Sequence, residues 1–204
     1  MKNHRLLLTV VLTVVATVVL TVVLMSLSTE AVAQQHDMQK STEKLVLSDA
    51  QKSFTQLKTL AGTWQGPVTT DPPQPEMGNG AVIQVSLRVT SRGNALVHEM
   101  KEPGKPEDPS RYDHPVTMFY VDSDQLNLVH YCDAGNRPRM TAKVSPDGKT
   151  VEFEFADLSG GNERGHMHHA VFTFIDANHH IEDWTYLMPG DKPLHARADL
   201  RRDQ

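Results

Sequence analysis

The sequence predicts an all-β protein: an antiparallel, up-and-down β-barrel of about ten strands preceded by one short helix. Three observations carry this. From Trp64 onward, Val, Ile, Phe and Tyr alternate with polar residues at a period of two. Turn-forming clusters interrupt the alternation at short intervals. No helix-length segment separates successive strands, so neighbours in sequence are expected to pair antiparallel.

The N-terminal segment is set apart from the fold. Lys2 and Arg5 precede a charge-free run from Leu6 to Leu27, and Ala31-Val32-Ala33 follows. That order is an export signal with a small-residue cleavage site, so residues 1–33 are expected to be a signal peptide. At ~1.5 Å per residue the run is also long enough to stay as a membrane anchor. The Ala-x-Ala site favours cleavage. Both readings place the rest of the chain on the non-cytoplasmic side, periplasmic or extracellular. Residues 34–47 are polar and read as a flexible tether, leaving 48–204 as the barrel domain.

Ser48 is placed to cap a short helix running to Leu60, with Phe54, Leu57 and Leu60 near one face. Gly62 is expected to end it. The strands follow at about 64–68, 81–90, 94–101, 115–122, 125–133, 136–145, 149–156, 166–176, 179–187 and 194–202. In a meander the connections then sort by parity. One end carries Ser91-Arg92-Gly93, Ser123-Asp124, Pro146-Asp147-Gly148 and Asp176-Ala177-Asn178, all tight turns. The other end carries long loops, such as those from Glu102 to His114 and from Asp157 to Gly165. A barrel with loops gathered at one mouth is a common ligand container.

Composition narrows the function. The chain has 25 acidic and 20 basic residues, a net charge of −5, and no basic cluster. Nucleic acid and anionic membrane surfaces are therefore not expected partners. A single cysteine, Cys132, rules out an intrachain disulfide. There is no Gly-x-Ser-x-Gly, His-Glu-x-x-His, phosphate-binding glycine loop or Cys-x-x-Cys.

Gly62-Thr63-Trp64, at the exit from the short helix, is similar to the Gly-x-Trp opening of the calycin superfamily, which includes lipocalins and fatty-acid-binding proteins. Gly62 to Gly66 also resembles the start of the nitrobindin motif, which the chain leaves at Pro67. No later motif matches, and no haem ligand is carried over. As architecture the resemblance covers residues 54–202 and is nearest to uncharacterised exported lipocalin-like proteins of bacteria. It implies a barrel that binds a small molecule. It also implies that Trp64 plugs the closed end, with Arg201 or Arg202 from the last strand packed over it.

Strict alternation assigns the interior. Ile83, Val85, Leu87 and Val89 share one face, as do Val151, Phe153 and Phe155, and Ala196, Ala198 and Leu200. By the same rule His130 and Cys132 follow Leu126 and Leu128 inward, and His166 and His168 share the face of Ala170 and Phe172. Trp184 and Tyr186 join them, with Glu182 deeper, and Asn136 opens the next strand on that side. The expected cavity is polar and histidine-lined at the mouth and apolar below. His179 and His180 are expected in solvent, while His98, His114 and His195 have no assigned facing.

These residues define the expected function: an exported barrel binding a small, partly apolar ligand through His130, Cys132, Asn136, His166, His168, Glu182, Trp184 and Tyr186. The alternative is a metal-binding protein or metal-dependent enzyme. His166 and His168 lie ~6.5–7 Å apart on one face, and His130 supplies a third imidazole for zinc. Cys132 then reads either as a nucleophile activated by histidines or as a small buried hydrophobe. A third reading is a structural protein with a solid core.

Overall fold

A computed structural model describes residues 47–74, 80–106, 108–145 and 147–203. The expected signal peptide and nearly all of the expected tether lie outside these residues. Among the described residues no helix is long and apolar enough to cross a membrane.

Among the described residues one α-helix, α1 (Asp49–Lys58), precedes ten strands: β1 (Gly62–Asp71), β2 (Val82–Thr90), β3 (Ala95–Lys101), β4 (Val116–Asp122), β5 (Gln125–Tyr131), β6 (Arg137–Val144), β7 (Thr150–Ser159), β8 (His166–Asp176), β9 (His179–Met188) and β10 (Lys192–Arg202). Each strand pairs antiparallel with its neighbours in sequence, and β1 pairs with β10, which closes the barrel. The fold expected from the period-two pattern is the observed one.

The tight-turn end is the closed end. Ser123 and Asp124 take φ values of 49° and 59°, the left-handed pair that a two-residue hairpin requires. Ser48 caps α1 through a reciprocal capping box with Gln51. The helix ends at Lys58 with Thr59 as its cap, and Gly62 begins β1 instead of terminating the helix. Gln56 Nε2 donates to Gly148 O (2.6 Å) and Lys58 Nζ to Gly93 O (3.4 Å), which ties α1 to two lower turns. Phe54, Leu57 and Leu60 are then buried in one core with Trp64, Phe119, Phe153 and Phe172.

Trp64 plugs this end. Its indole N–H donates to Leu60 O (2.7 Å), and Arg202 lies over the ring, Cζ 4.1 Å from the centroid. The arginine of the expected pair is Arg202, which faces Trp64 across the closing β1–β10 seam.

Two register shifts break the alternation near the open end. One lies between Arg139 and Met140 opposite β7, the other between Met167 and His169 opposite β9. An extra residue in one strand shifts which side chains face the interior above it. This is why strict alternation misplaces the top of β8.

Candidate functional site

The open end holds a cavity of about 310 Å³. Its wall is apolar: Val68 from β1, Ile83 from β2, Met100 from β3, Pro115 ahead of β4, Met167 from β8, and Leu194, Ala196 and Ala198 from β10. Trp184 and Tyr186 of β9 complete it, and Lys101, Glu102 and Asp113 contribute at the loop end. Ile83, Ala196 and Ala198 are where period-two alternation puts them. Met167 replaces the expected His166 and His168, because above the shift in β8 it is Met167 that pairs with Tyr186.

One pleat period below this lining lies a buried polar layer. Glu182 accepts from His98 Nε2 (2.9 Å to Oε2, 3.2 Å to Oε1), His180 Nε2 (3.0 Å) and Trp184 Nε1 (3.0 Å). The side chains of Glu182, His98 and His180 are fully buried. Burial by itself pushes the Glu182 carboxyl up, but the charge and hydrogen bonds of His98 and His180 hold it well below the ordinary carboxylate range. An ionised carboxylate only accepts, so both imidazoles present Nε2–H to it.

His130 belongs to the same layer. Its Nδ1 lies 2.8 Å from Thr117 Oγ1, and its ring centroid is 5.8 Å from that of Trp184. Burial pushes its pKa down to about 4, with a smaller contribution from His98. The imidazole is therefore neutral near neutral pH. Thr117 pairs with His98 on one side and His130 on the other, so three neighbouring strands bring these groups together.

The observed zoning reverses the expected one: apolar cavity above, histidine layer below. His166 and His168 lie elsewhere. His166 Nδ1 donates to Asn162 Oδ1 (2.8 Å), and its Nε2 lies 3.2 Å from His168 Nδ1. Both rings pack on Phe155, with His168 stacked at 5.0 Å. Burial, then His168, lowers the His166 pKa, in keeping with a neutral ring that accepts from its neighbour. The structure does not bring His130 to this pair. Among the described residues the one group of metal-type ligand atoms within 4.8 Å of each other is Asp113, Cys132 and Asp133. The three-histidine zinc arrangement is not assembled.

Cys132 is half-buried beside a second, more polar depression of about 470 Å³ formed with residues such as Tyr112, Asp113 and Asp133. Burial raises its thiol pKa, and the Asp113 and Asp133 carboxylates raise it further. That environment suits an inert thiol, not an activated nucleophile. Asn136 is a structural clamp: its Nδ2 donates to Gly161 O (2.9 Å) and Gly165 O (2.7 Å), holding the loop before β8. Glu182, Trp184 and Tyr186 face inward as expected, with Tyr186 donating to Arg164 O (2.7 Å) at the rim.

Sequence reasoning missed His98 and His180. The signal for His180 was present, since it shares the face of Glu182 and Trp184 at steps of two. His98 required the register, which sets it opposite the inward Leu87.

No family model and no curated protein matches the chain. Among solved structures it is similar to the Mycobacterium tuberculosis protein Rv2717c, with 14% identity and a TM-score of 0.53, covering 74% of this chain and 98% of that one. A protein of unknown function from the DUF3598 family of Nostoc punctiforme gives 9% identity and a TM-score of 0.45, over 72% of this chain and 49% of that one. At 14% identity the first likeness concerns the fold alone, a ten-stranded barrel in keeping with the calycin-like architecture.

Proposed function

We propose that this protein is an exported binder of a small, largely apolar molecule, held in the cavity at the open end of the barrel. The observation that carries this is the cavity of about 310 Å³ walled by Val68, Ile83, Met100, Met167, Leu194 and Ala198. A volume of that order accommodates a small organic ligand, and such apolar walls gain by leaving water. Export rests on the N-terminal sequence alone: Lys2 and Arg5, the charge-free run and the Ala31-Val32-Ala33 site.

The test of binding uses the neutral dye N-phenyl-1-naphthylamine. Wild-type protein is expected to bind it saturably with enhanced emission. Ala196→Phe, which fills the cavity from β10, is expected to weaken binding at least tenfold while circular dichroism stays unchanged. No saturable binding, or equal binding by a folded Ala196→Phe variant, overturns the reading. N-terminal sequencing of the protein recovered from expressing cells tests export, with Gln34 expected as the first residue.

A further inference from the structure

The polar groups around the cavity are not equally satisfied. At the rim, Glu102 pairs with Lys105, Asp133 with Arg164, and Asp113 accepts from the Asp133 backbone N–H. Tyr186 gives its hydroxyl proton to Arg164 O. His98 Nδ1, His130 Nε2 and His180 Nδ1 below the floor, like His114 Nε2 and Asn136 Oδ1 nearer the open end, are buried without a hydrogen-bond partner. Unsatisfied buried groups are rare in folded proteins, because each forfeits its solvation.

Two of these residues, His98 and His130, are outside the cavity lining but pack against its wall residue Trp184. His98 precedes the wall residue Met100 by two positions on β3, and Thr117 follows the wall residue Pro115 by two into β4. Residues two apart on a strand share a face at ~6.5–7 Å, so the layer lies one step below the wall. His98 and His130 both border Trp184, with ring centroids 5.7 and 5.8 Å from its own. Trp184 itself lines the cavity. Each imidazole is fixed at one nitrogen, His98 by Glu182 and His130 by Thr117, which leaves the other nitrogen for an incoming group.

We infer that the ligand enters polar end first, and that a hydroxyl on an otherwise apolar molecule is received beneath the cavity floor, beside Trp184, by the free nitrogens of His98 and His130. The inference rests on the binding reading above. A carboxylate is disfavoured there, because the ionised, fully buried Glu182 is in contact with His98. With His98 Nε2–H given to Glu182, a hydroxyl that donates to His98 Nδ1 accepts in turn from His130 Nε2–H, whose Nδ1 accepts from the Thr117 hydroxyl. The apolar remainder then occupies the cavity.

The test compares 4-ethylphenol with 4-ethyltoluene, which differ by a hydroxyl in place of a methyl, as competitors of bound N-phenyl-1-naphthylamine. Wild-type protein is expected to prefer the phenol at least tenfold, and His130→Leu to reduce that preference to twofold or less. The His130 imidazole ¹⁵N resonances of the wild type, which need no variant, are expected to move with the phenol and stay with the toluene. Equal affinity of the two competitors, a preference kept in His130→Leu, or unmoved His130 resonances overturn the inference and leave the binding reading standing. Absence of dye binding overturns the binding reading and this inference with it.

Discussion

Glu182 and His98, 84 residues apart in the chain, meet inside the barrel with Nε2 2.9 Å from Oε2 and both side chains fully buried. The same carboxylate takes His180 and Trp184, so three donors converge on two oxygens. Glu182→Gln places an amide N–H₂ among groups that donate. Removing one member of a buried charged network costs roughly 3–5 kcal/mol, the loss expected in urea unfolding. Trp184 donates to the altered group directly, whereas Trp64 keeps Leu60 O and meets the network only through the His180 ring at 4.3 Å, so the tryptophan emission change is expected to come mainly from Trp184. Unchanged stability in Glu182→Gln would show that the network contributes nothing net.

His130 makes stability depend on pH in a definite direction. Its folded pKa is lowered from 6.5 to about 4, chiefly by burial. Between those values the unfolded chain binds the proton and the folded one does not. The contribution is therefore fully present above the unfolded pKa and is lost as pH falls towards 4. At ~1.36 kcal/mol per pKa unit, it amounts to about 3 kcal/mol. Glu182, whose folded pKa is also depressed, adds a loss that begins lower, as pH falls through the ordinary carboxylate range. The expected outcome is a urea midpoint that drops between pH 7 and pH 4.5, with a shallower drop in His130→Asn. An equal slope in that variant would assign the pH dependence to other groups.

The fold was legible in the sequence because burying one face of a strand writes a period-two signature. The ten strands, the closed end under α1 and the Trp64–Arg202 contact all follow from it or from the Gly-x-Trp resemblance. The site was legible only in part. Glu182, Trp184 and Tyr186 are on the predicted face, because β9 runs without interruption from Glu182 to Tyr186 against β10. His166 and His168 were misplaced because the shift at Met167–His169 has no sequence signature. His180 was assigned to solvent from its nearness to a turn, although its parity with Glu182 pointed inward. A polar layer beneath an apolar one also defeats any rule that grades polarity by depth, since buried polar groups persist where they find partners.

Arg202 closes the lower end through several contacts at once. Its guanidinium lies 4.1 Å from the Trp64 ring centroid and donates to Ala61 O (2.8 Å), Thr59 O (3.0 Å) and Ala177 O (3.2 Å). Two of those carbonyls belong to the exit from α1, so the residue ties helix, barrel floor and the β8–β9 turn together. Arg202→Ala is expected to cost ~2–3 kcal/mol, from the lost cation–π contact and charged hydrogen bonds. Arg202→Lys keeps the charge without the planar fork and is expected to recover only part of this. Urea unfolding with an unchanged m-value checks both, and full recovery by lysine would show that geometry is irrelevant here.

Gly66 is the point at which the barrel seam admits no side chain. A Cβ built there falls 1.7 Å from Asp199 O and 2.8 Å from its carbonyl carbon, both backbone atoms that cannot swing aside. Its conformation is not the constraint, since no left-handed φ is involved; the close approach of β1 to β10 is. Gly66→Ala must push the two closing strands apart, and since β1 and β10 also supply Val68, Leu194, Ala196 and Ala198, the cavity wall moves with them. Stability is expected to fall by at least ~3 kcal/mol, in the range reserved for backbone clashes and core overpacking. Dye affinity is expected to fall with it under conditions where the variant stays folded. Gly62→Ala provides the contrast. Its Cβ meets the Arg202 guanidinium at 2.5 Å, and its φ of +138° is itself unfavourable for alanine, but the obstacle is a side chain at the closed end. That variant is expected to lose stability while keeping dye affinity, and a parallel loss of affinity in both would show that the seam does not specifically shape the cavity.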